Sequence, residues 1–213
     1  MRGCFKAVLA FGLVAALAGP VSAQGRGGWG GPGMLIGNPS VQKELKLDDD
    51  QIKKAEALAT ELREKNQENR SKLEGLEGDE LMKKRQEIGR ANNEMVMKSV
   101  HGFLKPEQVA RFKQIELQQM GANALAIPAI ASKLNVTDEQ AAQVKTILAE
   151  AQTEMTAARQ SAGDDRQAAM QKIQGLRKET NTKVMALMTE DQKKTWKEMT
   201  GEHFEVVYQP RGQ

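Results

Sequence analysis

The sequence predicts an all-α fold: two tandem, elongated helical hairpin units behind a Gly-rich N-terminal leader. Three observations carry that expectation. Of the 213 residues 28% are charged and only 4% aromatic, and beyond Pro39 Ala, Leu, Gln and Lys dominate, which are good helix formers. The chain matches itself at a fixed spacing, the mark of a repeat. Apolar residues recur at intervals of three and four, so that they fall on one helix face.

At the N-terminus Arg2 and Lys6 precede an apolar run from Ala7 to Ala18, Gly19-Pro20 breaks it, and Val21-Ser22-Ala23 offers small residues where a signal peptidase cleaves. The run is shorter than the roughly 20 residues a spanning helix needs. Residues 1–23 are therefore expected to be a signal peptide cut between Ala23 and Gln24, leaving a periplasmic or secreted chain with no membrane insertion. Cys4, the single cysteine, lies in that segment, so the mature chain is expected to hold together by packing alone, without disulfide or thiol nucleophile. Losing Arg2 and Lys6 takes the 31 basic residues to 29 against 28 acidic ones. Such a balance gives no electrostatic footprint for nucleic acid. Residues 24–34, rich in glycine around Trp29, read as a flexible, disordered leader.

The repeat follows as residues 35–121 and 122–204, with 205–213 as a tail. A shift of 89 places Pro39 on Pro128, Leu45 on Leu134, Leu47 on Val136, Gln51 on Gln140 and Leu58 on Ile147. Later a shift of 84 places Val100 on Val184, Phe103 on Leu187, Gln108 on Gln192 and Phe112 on Trp196. The step between the shifts falls at a turn: Gly75 and Gly78 before Asp79 in one unit, Gly163 before Asp164 in the other. Glycine past one helix and aspartate capping the next mark a hairpin tip, and the extra length of the first unit is assigned to its loop. The seam of the outgoing arm is Ile52, Ala55, Leu58 and Leu62, and in the second unit Val144, Ile147, Ala151, Met155 and Ala158. The returning arms offer Leu81, Ile88 and Met95, and Ile173, Leu176, Val184 and Leu187. Each stripe is narrow, suited to pairing two helices. A short helix is expected before and after each hairpin.

Four helix starts share one chemistry. In Val136-Thr137-Asp138-Glu139-Gln140, Thr137 caps the helix, Gln140 reaches back to the amide of the cap, and the acidic pair meets the positive end of the helix dipole. Leu47-Asp48-Asp49-Asp50-Gln51 does the same, with Leu47 and Ile52 placed as a hydrophobic staple. Leu104-Lys105-Pro106-Glu107-Gln108 has the staple and a first-turn proline but a poor cap. Met188-Thr189-Glu190-Asp191-Gln192 has the cap without the staple. Helix capping accounts for the motif on these grounds.

Candidate chemistry is sparse. The two histidines, His101 and His203, are far apart with no His/Glu cluster at helical spacing, so no metal site is expected. No catalytic nucleophile and base pair, phosphate loop or cofactor fingerprint is seen, and neither an enzyme nor a bound cofactor is expected. The many methionines read first as gap fillers along thin seams. Met95 and Met97 cannot both face one seam, so one of them is expected to be exposed and is a candidate contact for a partner. Phe112 and Trp196 are expected to anchor the last helix of each unit.

Leu or Val, Thr or Asp, two variable residues and Gln, twice per unit around a long hairpin, resembles the LTxxQ family of secreted envelope proteins typified by Spy and CpxP. "VTDEQ" and "LKPEQ" match best, and the resemblance covers most of residues 39–204. It implies an all-α cradle that acts as an ATP-independent chaperone or as an envelope-stress modulator, with unfolded clients or a stress-system component as protein partners. The tandem units differ from the two-chain cradles of that family and suggest a pseudo-dimer within one chain, monomeric or weakly dimeric. The near-neutral charge also differs from the basic face of the chaperone members. A structural or scaffolding protein that binds one fixed partner is the alternative, and a metal-responsive sensor the third reading.

Overall fold

The computed structural model describes residues 32–161, 163 and 165–208. The expected cleavage site at Ala23 and Gln24, the leader around Trp29 and the last five residues lie outside them. The described residues are all-α, with no strand among them: α1 (Pro32–Ile36), α2 (Pro39–Glu44), α3 (Asp49–Ser71), α4 (Gly78–Phe103), α5 (Pro106–Met120), a 3-10 segment (Gly121–Ala126), α6 (Pro128–Lys133), α7 (Asp138–Ser161), α8 (Arg166–Ala186) and α9 (Glu190–Thr200).

The described residues build two apolar clusters. One joins α1 to α5 through Leu35, Ile36, Ala55, Leu58, Val96, Val100, Phe112 and Ile115. The other joins the 3-10 segment to α6–α9 through Ala122, Leu125, Leu134, Val144, Val184 and Met188, with Trp196 against it. Phe112 is fully buried and its counterpart Trp196 half-buried.

The local stops repeat as faithfully as the starts. Lys46 and Asn135, 89 residues apart, end α2 and α6 in the left-handed region at φ 52° and 51°. In that conformation Leu47 N–H donates to Gln42 O at 3.0 Å and Val136 N–H to Ala131 O at 2.9 Å. These bonds satisfy carbonyls that a helix end leaves open.

Several expectations are corrected. The leader was expected to run to residue 34, yet α1 begins at Pro32, and Gly33 is buried with Leu35 (2% exposed) and Ile36 (0%). The helix wedges between α3 and α4. It can do so because Gly33 presents no side chain to Leu62, while a Cβ on Gly37 would stand 2.7 Å from that of Ala59. A shift of 89 places Leu35 and Ile36 on Ala124 and Leu125, both buried in the 3-10 segment.

At the hairpin tips, Glu77 rather than Asp79 precedes α4, without a side-chain cap, and Asp165 caps α8 through Ala168 N–H at 2.9 Å. The extra length of the first unit lies mainly in α4, 26 residues against 21 in α8, rather than in the loop. Asp79 and Glu80 sit in the added first turn, where the helix dipole favours them.

The hairpins also differ in packing. In the second, Val144, Ala151 and Ala158 of α7 face Ile173, Thr180 and Val184 of α8, all buried, so the seam runs nearly to the tip. In the first, no residue between Leu62 and Val96 is buried; Leu81, Ile88 and Met95 are half-buried only. The shifts explain this. Where the second hairpin has Met155, Ala158, Ile173 and Leu176, the first has Asn66, Asn69, Gly89 and Asn92. Asn92 donates to Asn66 at 2.9 Å, a polar contact in the place of an apolar one.

Finally, the tail is not separate from the units. After Gly201 the chain crosses α5 and returns to the first unit, where Val206 (7% exposed) is part of the first cluster and Phe204 packs on it. The units meet through this segment and through contacts of α5 with α9 and with the 3-10 segment.

Candidate functional site

The four motifs converge in pairs. At the base of the first hairpin Asp48 accepts from Gln51 N–H at 2.9 Å, and Gln51 Oε1 accepts from Asp48 N–H at 3.1 Å, a reciprocal cap. Gln108 Oε1 accepts from Lys105 N–H at 2.9 Å; lysine has no acceptor to return the bond, so only half a cap forms there. The two glutamines then bond each other: Gln51 Nε2 donates to Gln108 Oε1 at 2.8 Å and Gln108 Nε2 to Gln51 Oε1 at 3.1 Å. Their remaining hydrogens go to main-chain carbonyls, Gln51 to Phe103 O at 2.9 Å and Gln108 to Leu45 O at 3.0 Å.

The second unit repeats the node. Thr137 and Thr189 accept from Gln140 and Gln192 N–H at 3.1 and 3.2 Å, and the side-chain oxygens of the glutamines accept from the N–H of Thr137 and Thr189. Gln140 and Gln192 exchange bonds of 2.9 Å and donate onward to Leu187 O at 2.8 Å and Asn135 O at 3.1 Å. Each node ties together the starts of two helices, the end of the returning arm and the end of the short leading helix. Gln51, Gln108 and Gln192 are each 7% exposed, so these bonds form away from water and an unpaired amide there would be costly. Leu104 (7% exposed) and Met188 (5%) are buried beside the nodes, while Leu47 and Val136 are half-buried. The motif is thus a tertiary fastener as well as a cap, which sequence reasoning missed because the partners stand 57 and 52 residues apart.

Met95 and Met97 are both half-buried and packed on the first cluster, so neither is the exposed methionine that was expected. The reason is that α4 is covered from more than one side, by α1 as well as by α3 and α5. Met95 Sδ also lies 2.9 Å from Lys65 Nζ. Among the described residues the exposed methionines are Met34, Met82 and Met170, at 56%, 54% and 53%, the last two in the tip-proximal turns of α4 and α8. His101 and His203 are exposed, and among the described residues no group of three His, Cys, Asp or Glu stands at metal-ligand spacing.

A second concentration of polar contacts surrounds the returning tail. Arg111, fixed by Glu44 at 2.7 Å, donates to Glu202 O at 2.9 Å. Gln118 donates to Thr200 O and Glu202 O, both at 2.7 Å, and accepts from Phe204 N–H at 2.9 Å. Asn38 donates to Val207 O at 3.0 Å, and Val207 N–H donates to Ser40 Oγ at 3.1 Å. Tyr208 O–H donates to Gln119 Oε1 at 3.2 Å, and burial pushes its phenol pKa up, partly offset by Arg177. Beside this region a cavity of about 250 Å³ is lined by Gln118, Asn123, Leu148, Met155, Arg177 and Asn181 among others. On α5, burial raises the carboxyl pKa of Glu116, with Lys113 opposing.

Comparison of the chain with protein-family models, with curated proteins and with solved structures found no match. Among the described residues no helix is long and apolar enough to cross a membrane.

Proposed function

We propose that this chain is a non-enzymatic binding protein of the cell envelope, periplasmic or secreted, acting on other proteins as an ATP-independent chaperone or as an envelope-stress modulator. The observation that carries the reading is the outer part of the first hairpin. Between Leu62 and Val96 two helices and their connecting turn run with no buried residue, and they carry half-buried Leu73 and Leu76 in the turn, half-buried Leu81 and Ile88 on α4, and exposed Met82. Such a projection keeps apolar, adaptable side chains accessible at little cost to the rest of the fold, as a surface for varied partners requires. The spacing of the four motifs and their resemblance to the LTxxQ proteins support the same reading.

The test is suppression of aggregation. The chain beginning at Gln24, added in near-stoichiometric amount and without nucleotide, is expected to lower light scattering from several unrelated, chemically unfolded proteins. Loss of the effect on changing Leu76, Leu81 and Met82 together to Ser would place it on the first hairpin. Failure with every client, alongside capture of one folded partner, would favour a scaffolding protein instead.

A further inference from the structure

We propose that the groove on the first unit that holds residues 202–208 is a binding site for extended polypeptide, and that the chain's own tail occupies it as a displaceable competitor. The tail is recognised mainly through its main chain. Arg111, Gln118, Asn38 and Ser40 bond the carbonyls or amides of residues 202, 204 and 207 and no side chain of the tail. Any residue but proline offers those atoms, so this recognition is tolerant of sequence.

Side-chain selection is confined to alternate positions. Phe204 and Val206 turn toward the first cluster and the Tyr208 hydroxyl donates to Gln119, whereas Glu205 and Val207 are exposed, the period of an extended strand. Main-chain bonds that give affinity and apolar pockets at every second residue are the chemistry by which extended peptides are bound elsewhere. Arg111 is held ready by Glu44, and Asn38 and Ser40 by the cap of α2, so these three do not depend on the tail for their placement. The turn that feeds the tail into the groove is fixed as well: Gly201 has φ 63°, and a Cβ there would collide with Gln114.

The occupant is therefore an extended segment with an apolar or aromatic residue, one intervening residue and a second apolar residue, as an unfolded protein displays in many places. This deepens the chaperone reading and rests on it. Tethering gives the tail a high local concentration, so free peptide competes at a disadvantage until the tail is released.

A fluorescein-labelled peptide of residues 200–208 probes the site. The full chain carrying Val206→Asp, whose own tail is weakened, is expected to bind it at least about tenfold more tightly than the unaltered chain, as removal of a tethered competitor requires. The same peptide with Asp in place of its Val206 should not bind. Equal binding by both chains, or none by either, overturns the proposal. Should Val206→Asp lose its helical circular dichroism, hydrogen exchange on the unaltered chain decides. Millimolar peptide should expose the Phe204 and Val207 amides, and unchanged protection refutes the site. A concentration-dependent dimer that the peptide does not dissociate would assign the groove to a second copy and also overturn it. Peptide binding without any suppression of aggregation leaves the groove standing and removes the chaperone reading. Suppression that is identical in the two chains, with no peptide binding, does the reverse.

Discussion

At the scale of single residues, the motif glutamine matters more than the cap before it. Removing the Thr137 hydroxyl takes away one exposed cap and is expected to cost about 1 kcal/mol. From the sequence Gln140→Ala would cost less. The structure reverses that order, because the amide also bonds Gln192 and Leu187 O. Gln140→Ala should therefore exceed Thr137→Ala, and Gln51→Ala, in the more buried node, should cost about 2 kcal/mol or more by leaving Gln108 short of a partner. Urea titrations of the three variants check the order. A signal for this was present in the sequence. Glu closes a capping box as well as Gln does, yet all four motifs carry Gln, and only an amide both accepts from the cap and donates across the unit. Glu116 gives a prediction in pH. Because burial raises its pKa in the folded chain, the native state keeps that proton to a higher pH than the unfolded state does, so stability falls as pH rises through the interval between the two values. Glu116→Gln should remove that decline: thermal melts should favour the variant at neutral pH and converge with the parent in acid.

At the scale of elements, the two hairpins form a natural comparison of seams. Exchanging Asn66 for Met and Asn92 for Leu installs the pair that the second hairpin uses, and should slow hydrogen exchange in the outer turns of α3 and α4. Unchanged protection there would mean that Gly89 and Asn69 alone keep the arms apart. The long helices and their starts were legible because caps, staples and apolar periodicity act within a few residues. The wedge α1 was not, since five residues beside a glycine-rich stretch carry no helical period, and their order depends on contact with Leu62 and Ala59. Its one trace was the apolar pair Leu35-Ile36, matched 89 residues later by Ala124-Leu125. The uneven seam was legible in principle from Asn66, Gly89 and Asn92, but only after alignment on the repeat.

At the scale of the whole molecule, the first unit is not complete in its own stretch of chain. A fragment ending at Gly121 lacks Phe204 and Val206, and full burial of a valine side chain stabilises by roughly 1.5–3 kcal/mol. Its melting midpoint should lie about 10 °C or more below that of the full chain, at several degrees per kcal/mol for a domain of this size, and added peptide 200–208 should restore part of the difference. Identical melting would show that the tail is incidental to the first cluster. The same contact sets a clock. Asn38 and Val207 are 169 residues apart, so this last contact of the first cluster closes only once the chain has emerged as far as Val207. Loop closure over such a distance is among the slower steps open to a helical protein. Until then the Gly33 wedge and the groove beside it wait without their last neighbour, and the first half to be synthesised is among the last to be finished.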